Sequence, residues 1–342
     1  MTDHKTEAQA LADIVGDYNS GRVPQIDAAH VIRWASQFDE HVRSPLITEL
    51  THVLSSTYLS RAKAVDFLSR VVRAEKLTGD DPGGFWQSAN LLDIQLAGNS
   101  QSEMLDLLVE VLQEQFGVDR ESTGQGGDTF IYLDDGMFTG NRIRRDLEAW
   151  LSEAPENAKL HVIVFVLHRG TYFARGELTK AIRASGKLIE VTWWRMLELE
   201  DRKSETDVSD VLRPVSLPAD LLVEAHVANM KYKPHLRNPG SIGQAKLFSS
   251  DAARQLLESE FLKAGVRIRA DSPYLGDSQR PLGHMSLETL GFGSMFVTFR
   301  NCPNNAPLAL WAGDPWIPLF PRVTNREAAV ARLFKRGTRP WE

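Results

Sequence analysis

The chain has 342 residues, 42% of them hydrophobic and 25% charged, which suits a globular protein with a sizeable core and one extension. A net charge of −6 gives no global basic footprint, so sequence-independent nucleic-acid binding is disfavoured while local basic patches stay open. The single cysteine, Cys302, rules out an intrachain disulfide and fits a reducing cytoplasm; no apolar run reaches membrane-spanning length, and the N-terminus lacks a signal-peptide pattern.

Residues 5 to about 77 read as all helical. Apolar residues recur at three- and four-residue spacing over 26–34, 45–54 and 61–72. Trp34, Phe38 and Phe67 belong to a core rather than a cofactor cage. The Gly/Pro/Asp cluster over 78–84 is the best boundary, giving a helical region 1–80 and a second domain 81–342. The helical region has no polar constellation suited to chemistry. Its stripes must be buried on each other, on the core, on a partner or on a second copy.

From about residue 90 the pattern turns to α/β. Residues 91–96 predict a strand, 97–102 a small polar loop, and 103–116 an apolar-periodic helix. Such a loop opening a helix suits an anion, with Ser100 as a cap; a plain capped turn is the alternative. The glycine-rich segment 117–128 is either a mobile lid or an ordinary connector.

Residues 130–142 carry the strongest signal. Phe130-Ile131-Tyr132-Leu133 forms a strand that runs into Asp134-Asp135. Three residues later comes Thr139-Gly140, and 143–151 reads as an amphipathic helix. The helix start offers backbone N–H groups and a positive dipole end to a phosphate. Gly140 permits close backbone approach, Thr139 adds a hydroxyl, and the paired acids can accept from neighbouring sugar hydroxyls. Two other readings of these residues are a Mg²⁺-binding receiver pair, which normally opens its domain, and a solvated turn.

Residues 160–167 form a buried strand, and Arg169 leaves it at the edge where α/β folds bind ligands. A helix around 176–185 leads to a strand over 188–195. One of Trp193 and Trp194 packs in the core there, and the other can stack on a base or on the helical region. The polar stretch over about 198–219 reads as a solvated insertion or linker, with the C-terminal portion covering about 220–342. That portion holds a helix over 251–264, a strand over 295–299 and an Asn/Pro-rich loop, Asn301-Cys302-Pro303-Asn304-Asn305. The amides of Asn301, Asn304 and Asn305 can either read a base edge or satisfy backbone groups in a turn. Cys302 has no evident histidine partner, which argues against a nucleophile. No histidine pair has metal-ligand spacing.

The segment 130–142 resembles the PRPP-binding loop of type I phosphoribosyltransferases: apolar strand, two acids, three residues, Thr-Gly, helix. The resemblance implies an α/β, Rossmann-like parallel-sheet core at about 88–197, between the helical N-terminal region and a C-terminal α+β portion. It implies that Asp134 and Asp135 hold ribose, and that Met137, Phe138, Thr139, Gly140, Asn141 and Arg142 surround the 5′-phosphate. Gly98, Asn99, Ser100, Gln101 and Ser102 would take pyrophosphate. Arg169 would meet pyrophosphate or the base, and Trp193 with the three asparagines would lie on the acceptor side. Mg²⁺ would arrive with PRPP or pyrophosphate and be held by their oxygens rather than directly by the protein. Two departures matter. Phe138 replaces the catalytic acid of 6-oxopurine salvage enzymes, and Asn141-Arg142 replaces a small residue and a hydroxyl. Arg142 is then either a phosphate contact or a solvated helix residue.

The tail NCPNNAPLALW and WIPLFPR, with VIRWASQF and SQSEML, extends the likeness to phosphoribosyltransferase-like proteins of bacterial conflict systems. That implies PRPP or nucleotide binding, with phosphoribosyl transfer or glycosidic cleavage in a defence setting. It leaves room for a protein partner from the same system, a homo-oligomer, or a non-catalytic sensor.

Overall fold

The computed structural model describes residues 2–96, 100–272 and 275–322. In chain order the helices and strands are α1 (Thr2–Val15), α2 (Ala28–Ala35), α3 (Glu40–Thr57), β1 (Tyr58–Leu59), α4 (Arg61–Val71), α5 (Glu75–Thr78) and α6 (Pro82–Ser88). Then come β2 (Asn90–Leu91), α7 (Ser100–Phe116), β3 (Thr129–Met137), α8 (Asn141–Trp150), β4 (Asn157–His168), α9 (Tyr172–Ser185) and β5 (Leu188–Leu199). The last elements are α10 (Leu221–Ala228), α11 (Asp251–Asp271), β6 (Gln279–Arg280), β7 (Gly283–His284), β8 (Val297–Thr298) and α12 (Leu308–Trp311). The chain parts into two compact units, one of residues 1–60 with 200–342 and one of residues 61–199.

The unit 61–199 is a parallel α/β sheet, as expected, with strand order β2-β3-β4-β5. β4 is apolar on both faces because both are covered, which is why it reads as a continuous run. On one face Tyr132, Leu160, Val162 and Val164 pack with Ile143 and Leu147 of α8 and Leu178 of α9. On the other, Phe67 of α4 meets Phe165 at 5.3 Å between ring centroids. The cluster 78–84 therefore does not divide two units. It ends α5 and, through the Asp81 side chain, caps α6, while the Trp86 indole donates to the Val72 carbonyl at 2.9 Å.

Two expected elements shift. The strand predicted over 91–96 is confined to Asn90–Leu91, and α7 begins at Ser100 rather than 103. Side-chain amides take over the backbone there. The Gln101 Oε1 accepts from the Ile94 and Gln95 N–H groups at 2.7 and 2.8 Å, and the Gln95 Oε1 accepts from the Gln101 N–H at 3.1 Å. At the other end, β5 continues to Leu199, so Glu198 lies in the sheet and not in a polar linker. Arginines neutralise it there, as described below.

The segment 117–128 is tethered rather than loose. Gly124 and Gln125 donate to the Ala89 and Gln87 carbonyls, both at 3.0 Å, and the Asn90 amide donates to the Gly127 carbonyl at 2.9 Å. Arg120 pairs with Asp93 and Asp106 at 2.8 and 3.0 Å.

In the other unit, α1 packs on both α2 and α3, and α3 packs on α11. Asp27 caps α2, and Trp34, fully buried, donates its indole N–H to the Ala309 carbonyl at 2.8 Å. β1 pairs in parallel with β8, and β6 with β7 antiparallel. The expected solvated stretch after 199 is instead drawn into this unit: Glu200, Ser209, Asp210, Val211 and Leu212 are buried. Glu200 binds Arg202 at 2.7 Å, and Asp210 accepts from the Glu200 and Ala245 N–H groups, both at 2.8 Å. Polar residues are tolerated inside because each carboxylate has donors. Among the described residues no helix is long and apolar enough to cross a membrane.

Candidate phosphate and ribose site

β3 and α8 set the site. β3 has a pleat that alternates its side chains, so Tyr132 and Asp134 face α8. Asp134 is fully buried, and both its oxygens are occupied. Oδ1 accepts the Asp135 N–H at 2.8 Å, and Oδ2 accepts Arg142 Nη2 at 2.6 Å. Asp135 is the more accessible acid, with Oδ1 3.7 Å from the same guanidinium nitrogen. Burial alone would lower the Arg142 pKa, but the Asp134 and Asp135 charges outweigh it and hold the guanidinium firmly protonated. The two expected ribose acids thus differ: Asp134 anchors Arg142, and Asp135 is placed to meet a ligand.

Gly140 forms the N-cap of α8 with φ +78°, a left-handed conformation that favours glycine. A Cβ there would also lie 2.7 Å from both Ala174 Cβ and Met137 Cε. Gly140 is therefore required by packing as well as conformation. No side chain caps α8, whose first turn carries the exposed Asn141 and the partly exposed Arg142. Thr139 is half-buried beside them, and Met137 is buried in the core.

Phe138 stacks on His168 at 5.0 Å between centroids and 30° between planes. His168 is fully buried. Burial pushes its pKa down to about 3, only partly offset by a hydrogen bond to the Met137 backbone, so the imidazole is neutral near pH 7. Neither ring supplies a charged acid or base to the loop.

Asp146 escaped the sequence reading. It is buried on α8, where Oδ2 accepts the Tyr132 hydroxyl at 2.9 Å and Oδ1 the Leu96 N–H at 3.3 Å. It thereby ties the α8 loop to the segment entering 97–102. Burial, then the Asp134 and Asp146 charges, raises the Tyr132 pKa, so its phenol stays a donor. Of the expected pyrophosphate residues, Gly98 and Asn99 lie outside the described residues. Ser100 and Gln101 are buried at the start of α7, with Ser102 half-buried next to them.

Arg169 is not an isolated cation. Its Nε donates to Glu198 Oε1 at 2.7 Å, and Arg195 pairs with the other oxygen. Trp193 is half-buried against the α9 face, with the Arg175 guanidinium 5.7 Å from its ring centre. Trp194 faces the other way and donates to His161 Nδ1 at 3.1 Å. All these groups belong to the unit 61–199.

The three asparagines belong to the other unit, and the side-chain amide of Asn305 serves its backbone. Asn301 donates its N–H to the Thr298 carbonyl at 3.1 Å. Asn304 Oδ1 accepts Arg322 at 2.7 Å, and the Asn305 amide donates to the His284 carbonyl at 3.0 Å. Cys302 is buried, and burial pushes its thiol up to about 12, the opposite of a nucleophile's environment. Among the described residues no group of three or more His, Cys, Asp or Glu stands together as a metal cage.

No curated protein and no solved structure matches this chain. A model of the PRTase-CE family does match, over residues 31–322, and with most of its length covered the chain belongs to that family of phosphoribosyltransferase-like proteins.

Proposed function

We propose that the chain binds 5-phosphoribosyl-1-pyrophosphate, or a nucleotide carrying the same ribose 5-phosphate group, at the loop between β3 and α8. One arrangement supports this: an apolar strand delivers Asp134-Asp135 to an uncapped helix start whose N-cap is a left-handed glycine. Backbone N–H groups at the start of α8 would take the 5′-phosphate, with Thr139 and Arg142 beside it. Asp135 would accept from the ribose hydroxyls, while Asp134 keeps Arg142 over the loop. Segment 98–102 would face pyrophosphate.

Mg²⁺ would enter with its ligand and be held by pyrophosphate oxygens and water, leaving the Asp135 carboxylate to the ribose hydroxyls. When bound, that ion neutralises charge on the departing pyrophosphate. Transfer breaks the bond from the anomeric carbon to pyrophosphate, whose oxygen keeps the electron pair. An acceptor forms the new bond and gives its proton to solvent. With water attacking a nucleotide instead, the same site would cleave the glycosidic bond. The chain's contribution is positioning and charge stabilisation, because Phe138 has no proton acceptor and His168, fully buried with its pKa pushed down to about 3, is a poor base. That feature favours a second reading, a sensor that binds PRPP without turnover and regulates a partner. A part in a bacterial conflict system belongs to either reading.

Calorimetry with Mg²⁺–PRPP, followed by assays for released pyrophosphate and for free base from nucleotides, tests the proposal. Binding tighter than millimolar is expected. Product with a supplied acceptor or with water marks the enzyme, and binding without product marks the sensor. Absence of binding overturns both.

A further inference from the structure

Phe173 is the one phenylalanine among the described residues that stands largely in water, 65% exposed, and its ring stacks on no other ring among them. A single exposed ring is ordinary on a protein surface, so its position is what matters. It is the second residue of α9, and the start of that helix is built onto the phosphate loop. A Cβ at Gly140 would lie 2.7 Å from Ala174 Cβ and 3.5 Å from Thr171 Cβ. The residues flanking Tyr172 and Phe173 thus both touch the glycine of the loop, and the Phe173 Cα is only about 3.8 Å from that of Ala174.

Helix periodicity fixes the direction of the ring. Ala174, Leu178 and Ile182 are buried and mark the inner face of α9. Phe173 stands about 100° to one side of Ala174, and Arg175 about 100° to the other. The Arg175 guanidinium is 5.7 Å from the Trp193 ring centre, so its flank is the β5 flank. Phe173 takes the opposite flank, beside α8, which packs on α9, and beside the loop that opens α8. Helical side chains also lean toward the N-terminus, and at the second residue of α9 that lean carries the ring over the C-terminal edge of the sheet. Tyr172, about 200° from Ala174 on the wheel, faces away from the sheet. Strand order then separates two groups about the loop: segment 98–102 follows β2, on one side of β3, and Phe173 follows β4, on the other. A group at an anomeric carbon is displaced from the face opposite the leaving group. With ribose held over β3 and pyrophosphate on the β2 side, the base belongs on the β4 side, where Phe173 stands.

We propose that Phe173 is the stacking face for the base of a nucleotide whose ribose 5-phosphate occupies the β3–α8 loop, so that the site prefers a flat heteroaromatic partner. This assignment rests on the reading of the loop given above. Stacking takes any flat base because every base has a π-face, so the ring selects a base without selecting which one. Purines, with more ring surface to cover, should bind tighter than pyrimidines.

Calorimetric titration of the full chain with ribose 5-phosphate, adenosine 5′-monophosphate and uridine 5′-monophosphate tests it. The first two ligands differ only by the base, so their affinity ratio isolates it. The adenine nucleotide should bind at least about tenfold tighter than ribose 5-phosphate, since a stacked base is worth roughly 5–150-fold. Phe173→Ala should remove most of that ratio while leaving ribose 5-phosphate affinity within about twofold, and Phe173→Trp should keep it. Tyr172→Ala, on the outer face, should leave both affinities as they are. Ribose 5-phosphate serves in each variant as the check that the loop is intact, and removal of an exposed ring leaves the core untouched. A wild type that binds ribose 5-phosphate and the adenine nucleotide equally overturns the assignment and leaves the loop reading standing. So does a Phe173→Ala variant with the wild-type ratio. A chain that binds no sugar phosphate defeats the loop reading, and the assignment falls with it.

Discussion

The two acids at the end of β3 should fail in different ways when their charges are removed. Asp135→Asn removes the less buried of the two charges, whose side chain is 14% exposed and lies 3.7 Å from Arg142. If Asp135 accepts from a ribose hydroxyl, the loss is one charge-assisted hydrogen bond, about 1.5–3 kcal/mol, or roughly 10–150-fold in Kd. Folding stability should fall less than in Asp134→Asn, because the contact to Arg142 is longer, 3.7 Å against 2.6 Å. Asp134→Asn acts on a fully buried carboxylate that holds the Arg142 guanidinium at 2.6 Å. Losing one partner of a fully buried pair costs about 3–5 kcal/mol, but the Arg142 side chain is 40% exposed and water can resolvate it. A cost of about 1–3 kcal/mol in folding stability follows, because the new amide can still accept the Asp135 N–H. Ligand affinity should also fall, through displacement of Arg142 from the phosphate loop. Calorimetry with Mg²⁺–PRPP reads the first effect and urea denaturation the second. An Asp135→Asn variant that binds PRPP like the wild type, or an Asp134→Asn variant with unchanged stability, refutes this division of labour.

Other expectations rest on packing and charge. His168 has a folded pKa depressed to about 3, so its contribution to stability is whole above about pH 6.5, where the unfolded histidine is also neutral. Between about pH 6.5 and 3 the unfolded chain binds the extra proton, and stability should fall by up to about 1.4 kcal/mol per pH unit; denaturation midpoints should flatten over that window in His168→Gln. Glu258 is buried between Arg237 and Arg254, at 3.0 and 2.8 Å, so Glu258→Gln should cost about 3–5 kcal/mol in urea denaturation. Gly140→Ala combines a left-handed backbone with 2.7 Å clashes and should lower the melting temperature markedly while weakening PRPP binding, whereas Gly176→Ala, in open space, should do neither. Removing residues 1–57 takes Trp34 and its bond to Ala309 out of the core of its own unit, so limited proteolysis should cut freely within 200–322 while 61–199 stays resistant; a 200–322 stretch as resistant as in the full chain would contradict this.

The β3 loop was legible because local chemistry forces it. A nine-residue strand whose apolar run meets two acids before it ends, and a glycine three residues beyond Met137, leave few conformations for the turn into α8. The different fates of Asp134 and Asp135 follow from strand alternation, which the sequence contains, but their pairing with Arg142 depends on how α8 docks. Asp146 was harder to see. It stands on the buried side of α8 with Ile143, Leu147 and Trp150, and an acid on an apolar stripe is the one signal that it spans a buried hydrogen-bonded link. Gln95 and Gln101 left no such mark. Glutamine is an ordinary helix residue in sequence, and only the fold shows the pair of them meeting the backbone by side-chain bonds where five further residues of strand, 92–96, were expected.

The units of the chain were illegible for a related reason. Amphipathic stripes over residues 26–54 announce that a surface must be covered and say nothing of what covers it. The cover comes from more than 200 residues away: His30 Nε2 lies 2.9 Å from the Pro318 carbonyl, Trp34 bonds Ala309, and Tyr58 pairs with Val297. By contrast, the Gly/Pro cluster at 78–84, which looks like a border, only turns the chain between short helices inside one unit. Composition marks where a chain bends, whereas core contacts decide where a unit ends. The stretch after 199 makes the same point with charge. Its acids suggested a solvated linker, yet Glu200 and Asp210 are buried because Arg202 and backbone N–H groups meet them. Acidic sequence becomes interior when donors are folded around it, and those donors are fixed by tertiary structure.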